Sequence, residues 1–340
     1  MKGESQIISW IRSRKARGGR NLVIGIGDDA AVWQPRHGYN LIACCDLSVE
    51  NVHFRTEWAE PRTIGYKSLA VTISDVAAMG GTPLYALLSV ALPAGKSEAF
   101  VQDLFQGVFD AADRFDVVLI GGDTSKSPGP IFLDTSVIGE CPSGRAVTRS
   151  GAGVGDLIFV TGSLGGSALG LQILQTEPNT VAASAPSRSS NRSPAAAEAI
   201  MRHVTPEPRV EAGKLIGSMG LATAMIDISD GLTTDLSHIT AESEKGAILY
   251  ADSIPIANCV KSAQLDGVVS NPLELALHGG EEYELLFTAK PGQRHEIEAV
   301  IASTGLAVSC IGEVVPNPGL RLEINGTLAD LAPRGYEHDF

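Results

Sequence analysis

The sequence predicts an α/β (α+β) fold divided into two domains, and three observations lead to it. The chain of 340 residues exceeds one ordinary core and suits two of roughly 150 residues each. Short β-type apolar runs alternate along it with helical patterns. Its 44% hydrophobic and 19% charged residues are those of a globular protein able to bury a sizeable core.

Taken in order, residues 5–17 read as a short helix, broken at Gly18-Gly19 and followed by a strand over 22–26. Gly25-Ile26-Gly27-Asp28-Asp29-Ala30 then matches the dinucleotide fingerprint G-x-G-x-x-A. Two aspartates in that turn would repel a pyrophosphate, and no clear helix follows, so a nicotinamide cofactor is not the expected ligand. A strand over 41–45 delivers Asp46, and 49–54 is a loop or short strand carrying His53. Residues 62–79 have helical character, with Ile64, Ser68, Val71, Asp75 and Ala78 on one row, and stop at Gly80-Gly81. A carboxylate in that small, apolar stripe is costly unless paired or metal-bound. A buried strand over 85–92, a helix over 97–115, a strand over 117–120 delivering Asp123 and another over 131–139 complete the first half. Residues 142–155 read as the interdomain connection, with Arg145 and Arg149 in small, polar company, giving domains of 1–148 and 149–340.

The second half opens with a strand over 157–160 and a glycine-rich turn into a helix ending at Leu174. Residues 176–197 are rich in Ser, Ala, Pro and Asn and read as a mobile surface insertion. A helix near 211–219 precedes a strand over 224–228 that carries Asp227 and leads to Asp230, after which Leu232, Leu236 and Ile239 give the next helix its buried face. Gly279-Gly280-Glu281-Glu282-Tyr283-Glu284 leads into a strand over 285–288. Helix and strand signals at 293–303, 308–313 and 320–324 follow, and the aromatic tail around Tyr336 reads as docked.

The net charge of −13 argues against a nucleic-acid surface or an anionic membrane, both of which are bound through clustered Lys and Arg. The longest apolar stretch falls short of the ~18 residues of a membrane helix. Five cysteines form neither a disulfide framework nor a zinc spacing, and the N-terminus lacks the apolar core of a secretion signal. A reduced, soluble, cytoplasmic protein is expected.

Four places share one grammar, an apolar run ending in carboxylates beside glycine or another small residue: Asp29, Asp46, Asp123, and Asp227 with Asp230. With Asp75 they form a set without His or Cys at ligand spacing, and oxygen-only ligation selects Mg²⁺, Mn²⁺ or Ca²⁺. Aspartate also caps helices and turns. No P-loop and no protein-kinase motif set is present, so nucleotide chemistry here belongs to another architecture.

These blocks, with Val52-His53-Phe54, Gly65-Tyr66-Lys67-Ser68-Leu69-Ala70, Ser74-Asp75-Val76-Ala77-Ala78-Met79-Gly80, Arg145-Ala146-Val147-Thr148-Arg149-Ser150-Gly151, Asp227-Ile228-Ser229-Asp230-Gly231-Leu232 and Gly335-Tyr336, together resemble the thiamine-monophosphate kinase family in order across nearly the whole chain. The resemblance implies ATP-dependent phosphorylation of thiamine monophosphate. It also implies a two-domain fold like that of aminoimidazole ribonucleotide synthetase, with N-terminal domains pairing in a homodimer. It casts Asp29, Asp46, Asp75, Asp123, Asp227 and Asp230 as magnesium ligands. Gly122, Asp123, Arg149 and Ser229 become nucleotide contacts, and His53, Glu281 and Tyr336 acceptor contacts. No general base is expected, and Asp230 is the best candidate for alignment. Cys44-Cys45 stands where the family usually has hydroxyls, and a neutral thiol is a poor Mg²⁺ ligand. The alternatives are another ATP-dependent synthetase of the same superfamily and a non-enzymatic metal-binding dimer. Against the nearest of these, the first cysteine is Cys44 and the chain ends in Phe340 rather than cysteine.

Overall fold

Strands with two apolar faces demand cover on both sides, and that requirement organises the second half of this chain. A computed structural model describes residues 9–11, 21–26, 28–176 and 193–338. β1 (Leu22–Ile24) and β2 (Val32–Trp33) pair as a ribbon, followed by β3 (Tyr39–Val49), α1 (Pro61–Ala78), β4 (Thr82–Pro93), α2 (Glu98–Arg114), β5 (Val118–Ser127) and β6 (Phe132–Pro142). Then come β7 (Leu157–Thr161), α3 (Gly166–Thr176), α4 (Pro194–Val204), α5 (Val210–Met219), β8 (Ala224–Asp227), α6 (Leu232–Glu242), β9 (Gly246–Tyr250), α7 (Asn258–Leu265) and α8 (Pro272–His278). β10 (Leu285–Ala289), α9 (Arg294–Ser303), β11 (Val308–Val315), β12 (Gly319–Ile324) and β13 (Thr327–Leu331) complete the described chain.

β3 to β6 form a four-stranded sheet in the order β3-β6-β4-β5, and the later strands a seven-stranded sheet in the order β13-β12-β9-β11-β7-β10-β8. Alternating strands and helices would suggest parallel sheets, yet only β4–β5 and β12–β9 pair in parallel; every other neighbour in these two sheets is antiparallel. In the larger sheet Ile158 and Val160 face one core, with Leu232, Leu236 and Ile239 of α6. Phe159 faces the other, with Ile216 of α5 and Ile297 and Ile301 of α9. Phe159 and Phe287, paired in register, stack with centroids 5.3 Å apart.

α1 starts with Pro61 at its first turn, where the missing N–H costs nothing. It is buried on nearly every side, because sheet strands, α2 and α5 all pack on it. Ser97 caps α2, its Oγ accepting from Phe100 N at 3.1 Å, and Val101, Leu104, Phe105 and Val108 form the buried face. The two helices cross at glycines: a Cβ on Gly107 would lie 1.7 Å from the Arg62 carbonyl oxygen, and one on Gly65 1.9 Å from that of Leu104. Gly107→Val is therefore expected to lower the thermal midpoint, at a cost of about 1–3 kcal/mol or more as the helices are forced apart. Differential scanning fluorimetry against Gly129→Val, at a position with open space around it, checks this.

Two readings change. The strands over 41–45 and 117–120 run further than expected: β3 is paired along its whole length with β6, and β5 continues past Gly121-Gly122. Asp46 and Asp123 therefore lie inside strands rather than at their ends. The insertion at 176–197 falls outside the described residues from 177 to 192, but its last part is helical. Ser193 Oγ accepts from Ala196 N at 3.2 Å and starts α4 at Pro194. Most of the expected helix at 5–17 also lies outside the described residues; 9–11 are helical. No described helix is long and apolar enough to cross a membrane.

Candidate active site

Asp227 closes β8, an edge strand of the larger sheet, and faces α1 of the first half. Its Oδ2 accepts from Ser74 Oγ at 2.6 Å, with Asp227 4% exposed and Ser74 fully buried. One helical position on, Asp75 lines the same space, as does Asp46 from β3. The three carboxylates share a cavity of about 130 Å³ with His53, Lys67, Ser229, Glu281 and Tyr283. Asp75 and Asp227 also line an adjoining cavity of about 450 Å³, which holds Arg149 and Cys44.

Crowding these acids together makes them hard to ionise. Burial raises Asp75 well above the ordinary carboxylate range, and the charges of Asp227 and Asp46 raise it further, with Arg149 opposing. Burial likewise raises Asp227 and Asp46. The Cys44 thiol is pushed up by burial, then by Asp75 and Asp46. It donates to the Thr72 carbonyl at 3.3 Å, so it stays a neutral thiol. Cys45 is exposed, on the next position of the strand and hence its other face.

The turn after β8 is folded onto the loop at 279–284. Glu281 N donates to Ser229 O at 2.7 Å, and the Glu282 and Tyr283 amides to Ile228 O at 3.1 and 2.8 Å. Glu281 and Tyr283 hold φ of 60° and 52°, a left-handed conformation that costs ordinary residues of order 1–3 kcal/mol each. Behind them Glu284 accepts from Thr161 Oγ1 at 2.7 Å and Arg209 Nε at 2.7 Å. Glu282, a buried residue, is pushed up to about 8 by burial.

Asp230 lies beside this cavity rather than in its wall. It clusters with Asp235 and His238, with one ligand atom of each within 4.8 Å of the others. Asp235 caps the turn, its Oδ2 accepting from Asp230 N at 3.1 Å and Gly231 N at 3.0 Å. Burial first, then Asp227 and Asp230, pushes it up to about 8. Tyr336 N donates to Asp230 O at 3.0 Å. Its ring, half exposed, meets His338 edge-on at 4.9 Å, and His338 meets His53 at 5.3 Å. Tyr336 thus reaches His53 through one intervening ring.

Asp29, Gly122 and Asp123 are elsewhere, along a cavity of about 600 Å³ with Asp28, Trp33 and Thr124. Asp46 is in register with Thr135, Leu88 and Gly122, whereas Asp123 is in register with Ser89 and Asp134. Asp46 and Asp123 therefore sit three strands apart, roughly 14 Å, on opposite faces of the sheet. Trp33 Nε1 and Thr124 Oγ1 are buried without a hydrogen-bond partner among the described residues. Gly122, with φ of 153°, approaches so closely that a Cβ would lie 1.9 Å from Leu88 O.

Sequence reasoning missed Ser74, Lys67, His203, Asp235 and Tyr283. Lys67 carried a readable signal, a cation in the middle of an apolar helix. His203 carried none.

Residues 27–141 match the family model described as AIR synthase related protein, N-terminal domain, and residues 153–325 match the corresponding C-terminal domain. The thiamine-monophosphate kinase of Bacillus subtilis (strain 168) is 36% identical over 317 residues, 93% of each chain. The chain belongs to the thiamine-monophosphate kinase family. The family member of Stenotrophomonas maltophilia K279a superposes with a TM-score of 0.79 at 34% identity, covering 94% of this chain and 95% of that one. A further family structure, described as AaThiL complexed with AMPPCP and TMP, superposes with a TM-score of 0.76 at 30% identity, covering 98% and 96%.

Proposed function

We infer that the protein transfers the γ-phosphoryl group of ATP to thiamine monophosphate, giving thiamine diphosphate and ADP. The match over 98% of the chain to a relative solved with AMPPCP and TMP carries this reading. The acceptor is a phosphate monoester with a second pKa near ~6, already mostly ionised at pH 7, so no general base is needed. The obstacle is bringing two polyanions together beside acidic residues.

Asp46, Asp75 and Asp227 suit magnesium: three hard oxygen donors converge on one cavity, while the nearby Cys44 thiol stays protonated. Held by these three carboxylates, Mg²⁺ would supply charge neutralisation between the two polyanions for a direct, in-line transfer. Asp230, with Asp235 and His238 beside it, serves alignment at the rim. His53 and Glu281 contact the acceptor in the 130 Å³ cavity, and Tyr336 contacts it from the rim, where His338 lies between its ring and His53. Ser229 and Arg149 contact the nucleotide's phosphates, Arg149 from the adjoining cavity. Gly122 and Asp123 contact the nucleotide along the 600 Å³ cavity, where Asp29 and Asp123 would hold magnesium beside it.

We read the chain as domains 1–148 and 149–340, the first pairing with that of a second copy. Leu41 and Leu47 of β3, 47% and 52% exposed, support pairing through the open face of the four-stranded sheet. Five free cysteines suit the reducing cytoplasm.

The test measures ADP release at saturating Mg²⁺ with and without thiamine monophosphate, and thiamine diphosphate by chromatography. Acceptor-dependent release in step with product is expected. Turnover that is absent, or independent of the acceptor, overturns the reading.

A further inference from the structure

Glu281 is held from three directions. Its Oε1 lies 2.8 Å from Lys67 Nζ on α1, and its Oε2 lies 3.1 Å from His203 Nδ1 at the end of α4. Its amide is fixed on Ser229. The two side chains that grip it are nearly closed off from solvent, 10% and 4% exposed, while the Glu281 side chain keeps 26% and lines the 130 Å³ cavity. His203 Nδ1 is also 3.1 Å from Ser167 Oγ, which places the imidazole nitrogen between the hydroxyl and the Glu281 carboxylate. A carboxylate offers about four lone-pair sites. Lys67 Nζ meets one oxygen and His203 Nδ1 the other, and the carboxylate they hold lines the cavity.

We propose that Lys67 and His203 are positioning residues for Glu281, fixing its carboxylate so that it receives a hydrogen-bond donor or cationic group of the acceptor substrate. The proposal rests on the kinase reading above and adds residues to it. A fixed acceptor binds better than a mobile one because its rotamer entropy is spent before the substrate arrives. The pair is also matched electrically to that task. Burial would raise the Glu281 carboxyl, but Lys67 first and His203 next hold it below the ordinary range. His203 itself is lowered to about 4 by burial and by Lys67, so at neutral pH it is uncharged and adds no second cation. One net charge remains from Lys67 against one from Glu281, and the substrate's donor is not repelled. α4 thereby enters acceptor binding through His203.

The proposal is tested by steady-state kinetics on His203→Leu, His203→Asn and Lys67→Met, each in the unsubstituted background and combined with Glu281→Gln. His203→Leu and Lys67→Met should raise KM for thiamine monophosphate about tenfold or more, the size of one lost charge-assisted hydrogen bond, and leave KM for ATP unchanged. His203→Asn, which keeps an N–H donor near the Nδ1 position, should recover most of the affinity. Within Glu281→Gln the same substitutions should add little. Equal rises in both KM values, an asparagine variant as poor as the leucine one, or full effects persisting in Glu281→Gln would overturn the proposal. Thermal melts accompany each variant; where His203→Leu fails to fold, Lys67→Met carries the cycle. Absence of acceptor-dependent turnover in the unsubstituted protein would instead overturn the kinase reading, and the proposal with it.

Discussion

Asp75→Asn is expected to all but abolish turnover, a loss of about 10²–10³ in kcat of the kind seen when a transition-state charge contact is removed, while the thermal midpoint stays level or rises. The two halves of that expectation come from one fact. Asp75 is on a buried helix next to Asp46 and Asp227, and its carboxyl is raised by burial and by those neighbours. An ionised Asp75 therefore opposes folding at neutral pH, and a neutral amide of the same shape removes the repulsion. The carboxylate's justification must be something it holds, and the reading above makes that magnesium. Asparagine keeps an oxygen but loses the charge, so metal affinity falls with activity. Single-turnover kinetics, a Mg²⁺ titration and a thermal melt on one purified variant check all three parts. Near-normal kcat would remove Asp75 from the site, and a large fall in thermal midpoint would make it a structural residue.

How much of this was legible in the sequence depends on the range of the interaction. α1 and α2 could be read because their periodicity and caps are local: Pro61, Ser97 and the Gly80-Gly81 stop lie within each helix or beside its ends. Asp227 at a strand end was legible for the same reason. β9, α7, α8 and β13 were not read, since their short segments draw their order from neighbours in the sheet and the layer above it. The cluster of acids was legible as chemistry but not as geometry. Register decides that Asp46 and Asp123 leave opposite faces of one sheet, and register depends on β6 and β4, which the spacing of aspartates does not encode. His203 was invisible because a histidine near a helix end has many uses, and its partner is delivered by a loop distant in sequence. The left-handed Glu281 was equally hidden: nothing at that position asks for a positive φ, and the hydrogen bonds to Ile228 and Ser229 impose it.

The metal-free protein is expected to lose stability as pH rises from about 5 to about 8, and Mg²⁺ is expected to restore it at the upper end. Asp46, Asp75, Asp227, Asp230 and Asp235 all have carboxyls raised by burial, Asp235 to about 8. A group raised in the folded state binds protons there that the unfolded chain has released. Its contribution is complete below the unfolded carboxylate range near ~4 and disappears as pH climbs through the folded value. Several such groups act in the same direction, so thermal midpoints in a chelator should fall across this window instead of showing the usual broad neutral maximum. A cation that binds the ionised cluster reverses the sign: it stabilises the folded state by RT ln(1 + [L]/Kd), about 2.7 kcal/mol at a hundredfold excess over Kd, and its affinity grows as the carboxylates ionise. The two melting curves should therefore converge near pH 5 and separate towards pH 8, and the separation should shrink in Asp75→Asn. Parallel curves would mean that magnesium binds elsewhere, leaving these buried carboxylates without the partner that their placement implies.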